Sequence, residues 1–299
     1  MRILPKSRGR PRVACEISAD RVLAGRLGES GDMVELCSVS ELAPGSVVPD
    51  LVESNLLQPE AVRQAIRETV GPLAGRSRDV IAVLPDAAVR VVLLDFDALP
   101  PNREEAEGVV RFRLKKSLPF DVDKSKVAYQ AQPSSNGLRV VAAVALAKVV
   151  EEYEAAIVGA GFNPGIVMPS MLAALGAAAA DRPTLVIKVD SRTTSIAILD
   201  GGQLLLFRTL ENVRGVVING EQLAEEVYPS VVFFQDTYRT NIERIYVAGL
   251  PESGGAAPAL RAQTGADVKE LVASTQLGTS ARGLIPRWRM AGVVGALLS

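Results

Sequence analysis

Two stretches of the chain about 170 residues apart repeat one pattern of apolar and polar positions. Val13–Glu29 (VACEISADRVLAGRLGE) and Leu185–Gln203 (LVIKVDSRTTSIAILDGGQ) each read as an apolar strand, a short polar turn and a second apolar strand, the pattern of a β-hairpin. Met33–Val39 extends the first pair into a meander. Leu185–Leu210 forms the second meander, turning at Asp200-Gly201-Gly202. Between them, Gln58–Leu73 places Val62, Ala65, Ile66, Thr69 and Val70 on one helical face, with Pro59 in the first turn. Asp79–Leu84 reads as a buried strand, Pro85-Asp86-Ala87 as a turn and Val89–Phe96 as an alternating strand. Helix Arg103–Ser117 sets Ala106, Val110, Leu114 and Leu118 at spacing four, acids early and bases late as the helix dipole favours, and Pro119 stops it. Strands Lys126–Gln132 and Leu138–Ala145 flank Asn136-Gly137, a hairpin turn signal. Helix Ala147–Val158, strand Gly165–Met168 and an Ala-rich helix Pro169–Ala180 lead to a hinge at Asp181-Arg182-Pro183. Beyond the second meander come a helix over Gly220–Thr240 with a break or kink near Pro229, strand Ile245–Val247 ending at Gly249, helix Ala257–Thr264, and helix Pro286–Leu298, whose Met290, Val293, Val294 and Leu297 face inward.

Composition narrows the chemistry. With 33 Lys plus Arg against 34 Asp plus Glu in 299 residues, the chain has no net field to steer nucleic acid, and no nucleic-acid partner is expected. Histidine is absent, which removes the commonest general base, the Ser-His and Cys-His pairs and most zinc sites. Cys15 and Cys37 lie in strand-like apolar runs without a metal-binding spacing and read as buried small side chains. No apolar stretch reaches the ~18–20 residues that a membrane span needs. Residues 1–12 hold Arg2, Lys6, Arg8, Arg10 and Arg12 without an acid, and read as a flexible tail, either solvated or touching anionic lipid.

Twin hairpins, one opening each half, resemble the actin-like (ribonuclease H-like) ATPase fold. In that fold each hairpin turn grips the phosphates of a nucleotide held between two lobes. A second resemblance is narrower. Lys115-Lys116-Ser117-Leu118-Pro119-Phe120-Asp121-Val122-Asp123 followed by Tyr129 resembles the PilM proteins of type IV pilus assembly. Pro169-Ser170-Met171-Leu172-Ala173, Asp200-Gly201-Gly202 and Ile242–Gly249 resemble segments of that family in the same order. The resemblance implies an α/β, actin-like, two-lobed fold with a small inserted α+β subdomain, as in FtsA division proteins. Its first domain would comprise residues 13–87 and 162–182, its βαββα insert 88–161, and a second, reduced domain 183–299. It further implies ATP in the cleft and a groove near the insert, here Leu118, Pro119, Phe120 and Tyr129, for the cytoplasmic tail of the membrane protein PilN. The same four residues also read as ordinary core at a helix end. By the same resemblance the chain would sit in the cytoplasm at the inner face of the inner membrane. It would be held there through partners, with PilO and the pilus motors nearby, as a homo-oligomer or ring.

The turns depart from the family's phosphate loops. Glycine is needed there because backbone N–H groups must approach the phosphate oxygens closely, and an acid holds Mg²⁺ through water. Where the family reads Asp-Ile-Gly-Ser-Ser, this chain reads Glu16-Ile17-Ser18-Ala19-Asp20. Where it reads Asp-Ile-Gly-Ala, this chain reads Lys188-Val189-Asp190-Ser191, followed by matching Thr193-Thr194. An acid changed to Lys turns roughly 4 kcal/mol of attraction for each metal charge at about 4 Å into repulsion, at an effective dielectric near 20. Lys188 could instead touch a phosphate directly, or pair with Glu16 across an empty cleft. The adenine-side Gly-Gly is half kept, as Gly249-Leu250. The expectation is therefore a scaffold with no catalytic residue, no metal ligand and no cofactor, ATP and Mg²⁺ entering only if the degenerate site stays competent. The alternatives are an ATP-binding or ATP-hydrolysing actin-like protein and the cytoplasmic domain of a type II secretion protein L.

Overall fold

The computed structural model describes residues 9–212, 219–251 and 256–299. Two five-stranded sheets share one topology. In the first, β1 (Val13–Ile17), β2 (Arg21–Leu27), β3 (Val34–Glu41), β4 (Asp79–Leu84) and β8 (Asn163–Pro169) lie in the order β3-β2-β1-β4-β8. In the second, β9 (Thr184–Val189), β10 (Thr193–Asp200), β11 (Gln203–Glu211), β12 (Arg244–Ala248) and β13 (Asp267–Glu270) lie in the order β11-β10-β9-β12-β13. Each meander is antiparallel, and the remaining strands add in parallel. The two hairpins read from the sequence therefore hold equivalent places in two halves of a two-lobed α/β fold.

The period-2 alternation of β1 and β9 decides what faces the space between the lobes. On β1, Val13, Cys15 and Ile17 join a core with α1 (Pro59–Val70), while Ala14 and Glu16 point the other way. On β9, Leu185, Ile187 and Val189 join a core with α5 (Gly220–Tyr238), while Val186 and Lys188 point the other way. A single central core then ties the halves together: Ala14, Ile81, Val83, Val186, Ala197 and Leu204 pack with α4 (Ser170–Ala174) and α7 (Ala291–Leu298). Met290, just ahead of the last helix, and Val293, Val294 and Leu297 on it face inward as expected. That helix needs its glycine, since a Cβ at Gly295 would run into the Ala173 carbonyl oxygen.

The insert is a three-stranded sheet ordered β5-β7-β6, from β5 (Arg90–Phe96), β6 (Ser125–Ser134) and β7 (Gly137–Leu146), covered by α2 (Arg103–Leu114). Asn102 caps α2 by accepting from the Glu104 and Glu105 amides. The following helix, α3 (Ala147–Gly159), falls within the insert by order along the chain. It buries Val149, Tyr153 and Ile157 in the first lobe, packed on α1 and β8. The Tyr153 hydroxyl donates to Asn55 Oδ1 there, at 2.9 Å.

Four further elements differ from the pattern reading. The Ala-rich helix ends at Ala174 in a 3₁₀ turn over Leu175–Ala177, where Gly176 lies against the backbone of Gly295. The last α-helix begins only at Ala291, after a 3₁₀ turn Arg287–Arg289. The helix α5 runs through exposed Pro229 without a break, its inward Leu223, Val227, Val231 and Phe234 continuing the apolar stripe. Strand β13, with only Val268 inward, is too short to have announced itself. The helix α6 (Ala256–Thr264) packs beside α5.

Candidate functional site

The parallel strands of both sheets point their carboxyl ends at one cleft of about 400 Å³, the position where open α/β sheets hold ligands. Glu16, Ser18, Ala19 and Asp20 line it from the first hairpin, Lys188, Asp190 and Ser191 from the second, and Gly249 and Leu250 from the end of β12. Thr193 sits just behind the second turn, buried. The structure thus brings together every residue picked out in the two turns.

Of the two roles open to Lys188 in the sequence, pairing with Glu16 is not the one it takes. Lys188 reaches two other carboxylates: its Nζ lies 3.4 Å from Asp86 Oδ2 and 3.6 Å from Asp190 Oδ2. Glu16 instead accepts a hydrogen bond from the Ser170 hydroxyl, and α7 is pressed so close that a Cβ on Gly292 would strike its carboxylate. Asp86, at the end of β4, also accepts from the Met171 amide at 2.7 Å. Asp86, Glu16 and Lys188 are all buried. Burial alone would push the Lys188 ammonium toward neutrality; the charges of Asp86, Asp190 and Glu16 outweigh it and raise its pKa. Burial is the first influence on Asp86 too. It holds that carboxyl above its ordinary range against the pull of Lys188.

The second turn is closed by its own side chain. Asp190 Oδ1 accepts from the amides of Arg192 and Thr193, both at 2.8 Å, and Oδ2 accepts from the Thr193 hydroxyl at 3.1 Å. These amides are the kind of donor a phosphate loop offers to its ligand. The Asp190 carbonyl accepts from Asn212 Nδ2 at 2.7 Å, which pins the turn to the end of β11. The first turn is closed in a different way. The Ser18 hydroxyl donates to Asp20 Oδ1 at 2.9 Å, and Asp20 is clasped by Arg21 and by Arg289. Arg289 also holds Glu41, so the C-terminal segment is stapled across the turn. Burial works to raise the Asp20 pKa, and Arg21, Ser18 and Arg289 together bring it below the usual range. Gly249, at φ +84°, donates its amide to the Trp288 carbonyl at 2.8 Å, and any Cβ there would overlap the Val189 carbonyl. Its glycine is explained by the close crossing of two strand ends.

Cys15, beside Glu16, is fully buried, and burial together with the Glu16 charge pushes its thiol up to about 12, which leaves it inert. No cluster of three or more metal-type ligands occurs among the described residues.

Leu118, Phe120 and Tyr129 lie away from the cleft, partly buried against the insert core of Leu94, Val110, Leu114 and Val140, with Pro119 exposed. The insert also grips the second lobe. Gln132 donates to the Leu204 carbonyl at 2.6 Å and accepts from its amide at 3.1 Å, and Arg139 joins Asp95 to the Tyr238 hydroxyl.

Sequence reasoning missed Asp86, Ser170, Trp288 and Arg289. Asp86 had a usable signal, an acid directly after a buried parallel strand, where ligand-facing residues gather. Arg289 had none, because its partners Asp20 and Glu41 lie some 250 residues away.

No family model and no curated protein matches the chain. Among solved structures, a chain of a PilM–PilN type IV pilus biogenesis complex superposes with a TM-score of 0.75 at 19% identity, covering 96% of this chain and 97% of that one. A Bacteroides thetaiotaomicron protein with an actin-like ATPase fold matches at 0.55 and 10% identity, covering 90% and 92% of the two chains. The cytoplasmic domain of EpsL, an inner-membrane component of the Vibrio cholerae type II secretion system, matches at 0.55 and 11%, covering 96% and 94%. The fold is therefore actin-like and two-lobed, and the likeness to PilM read from the sequence holds at the level of fold.

Proposed function

We propose that this chain is a non-catalytic adaptor of a type IV pilus assembly platform, holding the cytoplasmic tail of a PilN-like membrane protein at the inner face of the inner membrane. The observation that carries this reading is the near-complete superposition on a chain of the PilM–PilN complex. Cleft chemistry supports the non-catalytic half. The amides of the second turn already have an acceptor in Asp190, and a buried ammonium stands where a metal would need an acid. These residues fit a magnesium nucleotide poorly, so no step is assigned to one. Among the described residues no helix is long and apolar enough to cross a membrane, in keeping with attachment through partners, which would include other platform and motor proteins.

The tail would bind as an extended peptide, through main-chain hydrogen bonds and apolar side chains in pockets. Leu118, Pro119, Phe120 and Tyr129 offer such an edge on the insert. The test is a titration of the full chain with a peptide of the N-terminal tail of its PilN-like partner, read by calorimetry. Saturable binding that weakens in a Tyr129→Ala variant supports the reading. Absence of binding at high micromolar peptide overturns it. A second reading, nucleotide binding without metal, is favoured by one observation, the cleft of about 400 Å³ that persists between the hairpins.

A further inference from the structure

The 3₁₀ turn Arg287–Arg289 lies at the mouth of the cleft, and its three residues hold both lobes at once. Toward the first lobe, Arg289 grips Glu41 at the end of β3 at 2.9 Å and Asp20 in the hairpin turn at 3.3 Å. Toward the second, Arg287 pairs with Glu270 at the end of β13 at 2.6 Å and donates to the Val272 carbonyl at 3.3 Å. Between them the Trp288 carbonyl accepts from the Gly249 amide, at the end of β12. None of the three residues is buried, and both arginines keep part of their side chains in solvent, 35% for Arg287 and 21% for Arg289. Ion pairs of this kind are weak and open to competition. The other ties between the lobes lie elsewhere. Residues 178–183 enter β9 at its amino end, whereas the cleft lies at the carboxyl ends of the strands. The insert grips Leu204, which pairs with Leu199 and through it with Thr184, so that contact is at the same far end. One end of the lobe junction is therefore fixed, and the turn fastens the other.

We infer that the turn Arg287–Arg289 is a releasable latch: its ion pairs close the mouth of the cleft with the chain's own residues, and anions that compete for Arg287 and Arg289 open it without unfolding either lobe. Arg289 anchors the turn on the first lobe, to which α7 already ties it, while Arg287 and the Trp288 carbonyl reach across to the second. Release lets the second lobe pivot about residues 178–183, a movement of the hinge type. The Lys188–Asp86 contact on the cleft floor and the insert's hold on Leu204 stay in place, so the movement is confined to the mouth. Opening uncovers Trp288 and the end of β12 at Gly249. The latch is independent of peptide docking on the insert.

The experiment reads the emission of Trp288, the only tryptophan of the chain, in the full chain, with acrylamide as a neutral quencher. Between low salt and 1 M sodium chloride, where the screening length falls to about 3 Å, the emission of the wild-type chain shifts to the red and quenching rises. Far-ultraviolet circular dichroism stays unchanged over the same range. Arg287→Gln shows the red-shifted emission already at low salt; Arg287→Lys does not, because its ammonium still meets Glu270. Hydrogen exchange of the wild-type chain gives a second reading that needs no variant to fold: in high salt the Gly249 amide exchanges faster and the Leu204 amide does not. Wild-type emission and Gly249 exchange that ignore salt overturn the inference. So do an Arg287→Gln emission equal to that of wild type at low salt, and a red shift that comes only with loss of secondary structure.

Discussion

Lys188, on the central strand of the second sheet, extends its ammonium to within 3.4 Å of Asp86, at the end of a strand of the first. Both side chains are buried, so this contact joins the two lobes at the bottom of the cleft. Removing one partner of a buried pair leaves an uncompensated charge and costs about 3–5 kcal/mol. Lys188→Met should lower stability by that order, measured by urea unfolding. Lys188 has a raised pKa, so its ammonium is fully charged in both the native and the unfolded chain below the unfolded value near pH 10, and its own titration adds no pH dependence there; the dependence comes from Asp86. Asp86 has a raised pKa as well, by burial against the pull of Lys188. Without the ammonium its carboxyl holds a proton to still higher pH, while the unfolded chain releases it near pH 4. The native state then binds more protons, and stability falls as pH rises. The deficit of Lys188→Met should grow from pH 4 to pH 8; a deficit that stays flat contradicts the assignment.

Asp190 supplies the acceptor for two turn amides and a hydroxyl. Asp190→Ala should cost about 1–3 kcal/mol through unsatisfied donors. The amides of Arg192 and Thr193 should also exchange with solvent faster, an effect read by hydrogen exchange with local resolution. Unchanged exchange at these two positions would show that the carboxylate does not cap the turn.

Gln132 makes both of its amide bonds to the backbone of buried Leu204. Truncation to Ala leaves the Leu204 amide without its acceptor, at about 1–3 kcal/mol. Exchange protection should fall along β11 and not along β1, which separates loosening of the insert clamp from general destabilisation.

Gly249→Ala forces a methyl group into the Val189 carbonyl at positive φ. Overpacking of this kind costs about 1–3 kcal/mol or more. The loss should appear in the chain by itself, with no ligand added. A variant as stable as wild type would return Gly249 to a ligand-binding role.

The elements most legible in the sequence were those whose own residues dictate them. The hairpins at Ser18 and Asp190 follow from alternation around polar turns, and Asp79–Leu84 is bounded to the residue because the apolar run Val80–Leu84 lies between Asp79 and Pro85. What escaped depends on contacts between distant segments. The helix α3 looks like the end of the insert by order along the chain, yet its Tyr153 and Ile157 fit the first lobe. Charge logic allows a Glu16–Lys188 pair across an empty cleft as one reading of the lysine. It could not anticipate that Ser170 and Gly292 would enclose Glu16, leaving Asp86 to meet the lysine.

The central claim is that this cleft is held together by its own charges and is no seat for a magnesium nucleotide. The most direct measurement is the melting temperature of the full chain during a titration with Mg-ATP. A ligand that binds only the native state must raise it by mass action. The account predicts an unchanged melting temperature up to millimolar Mg-ATP. A saturable rise that disappears when Lys188 or Gly249 is substituted would contradict it.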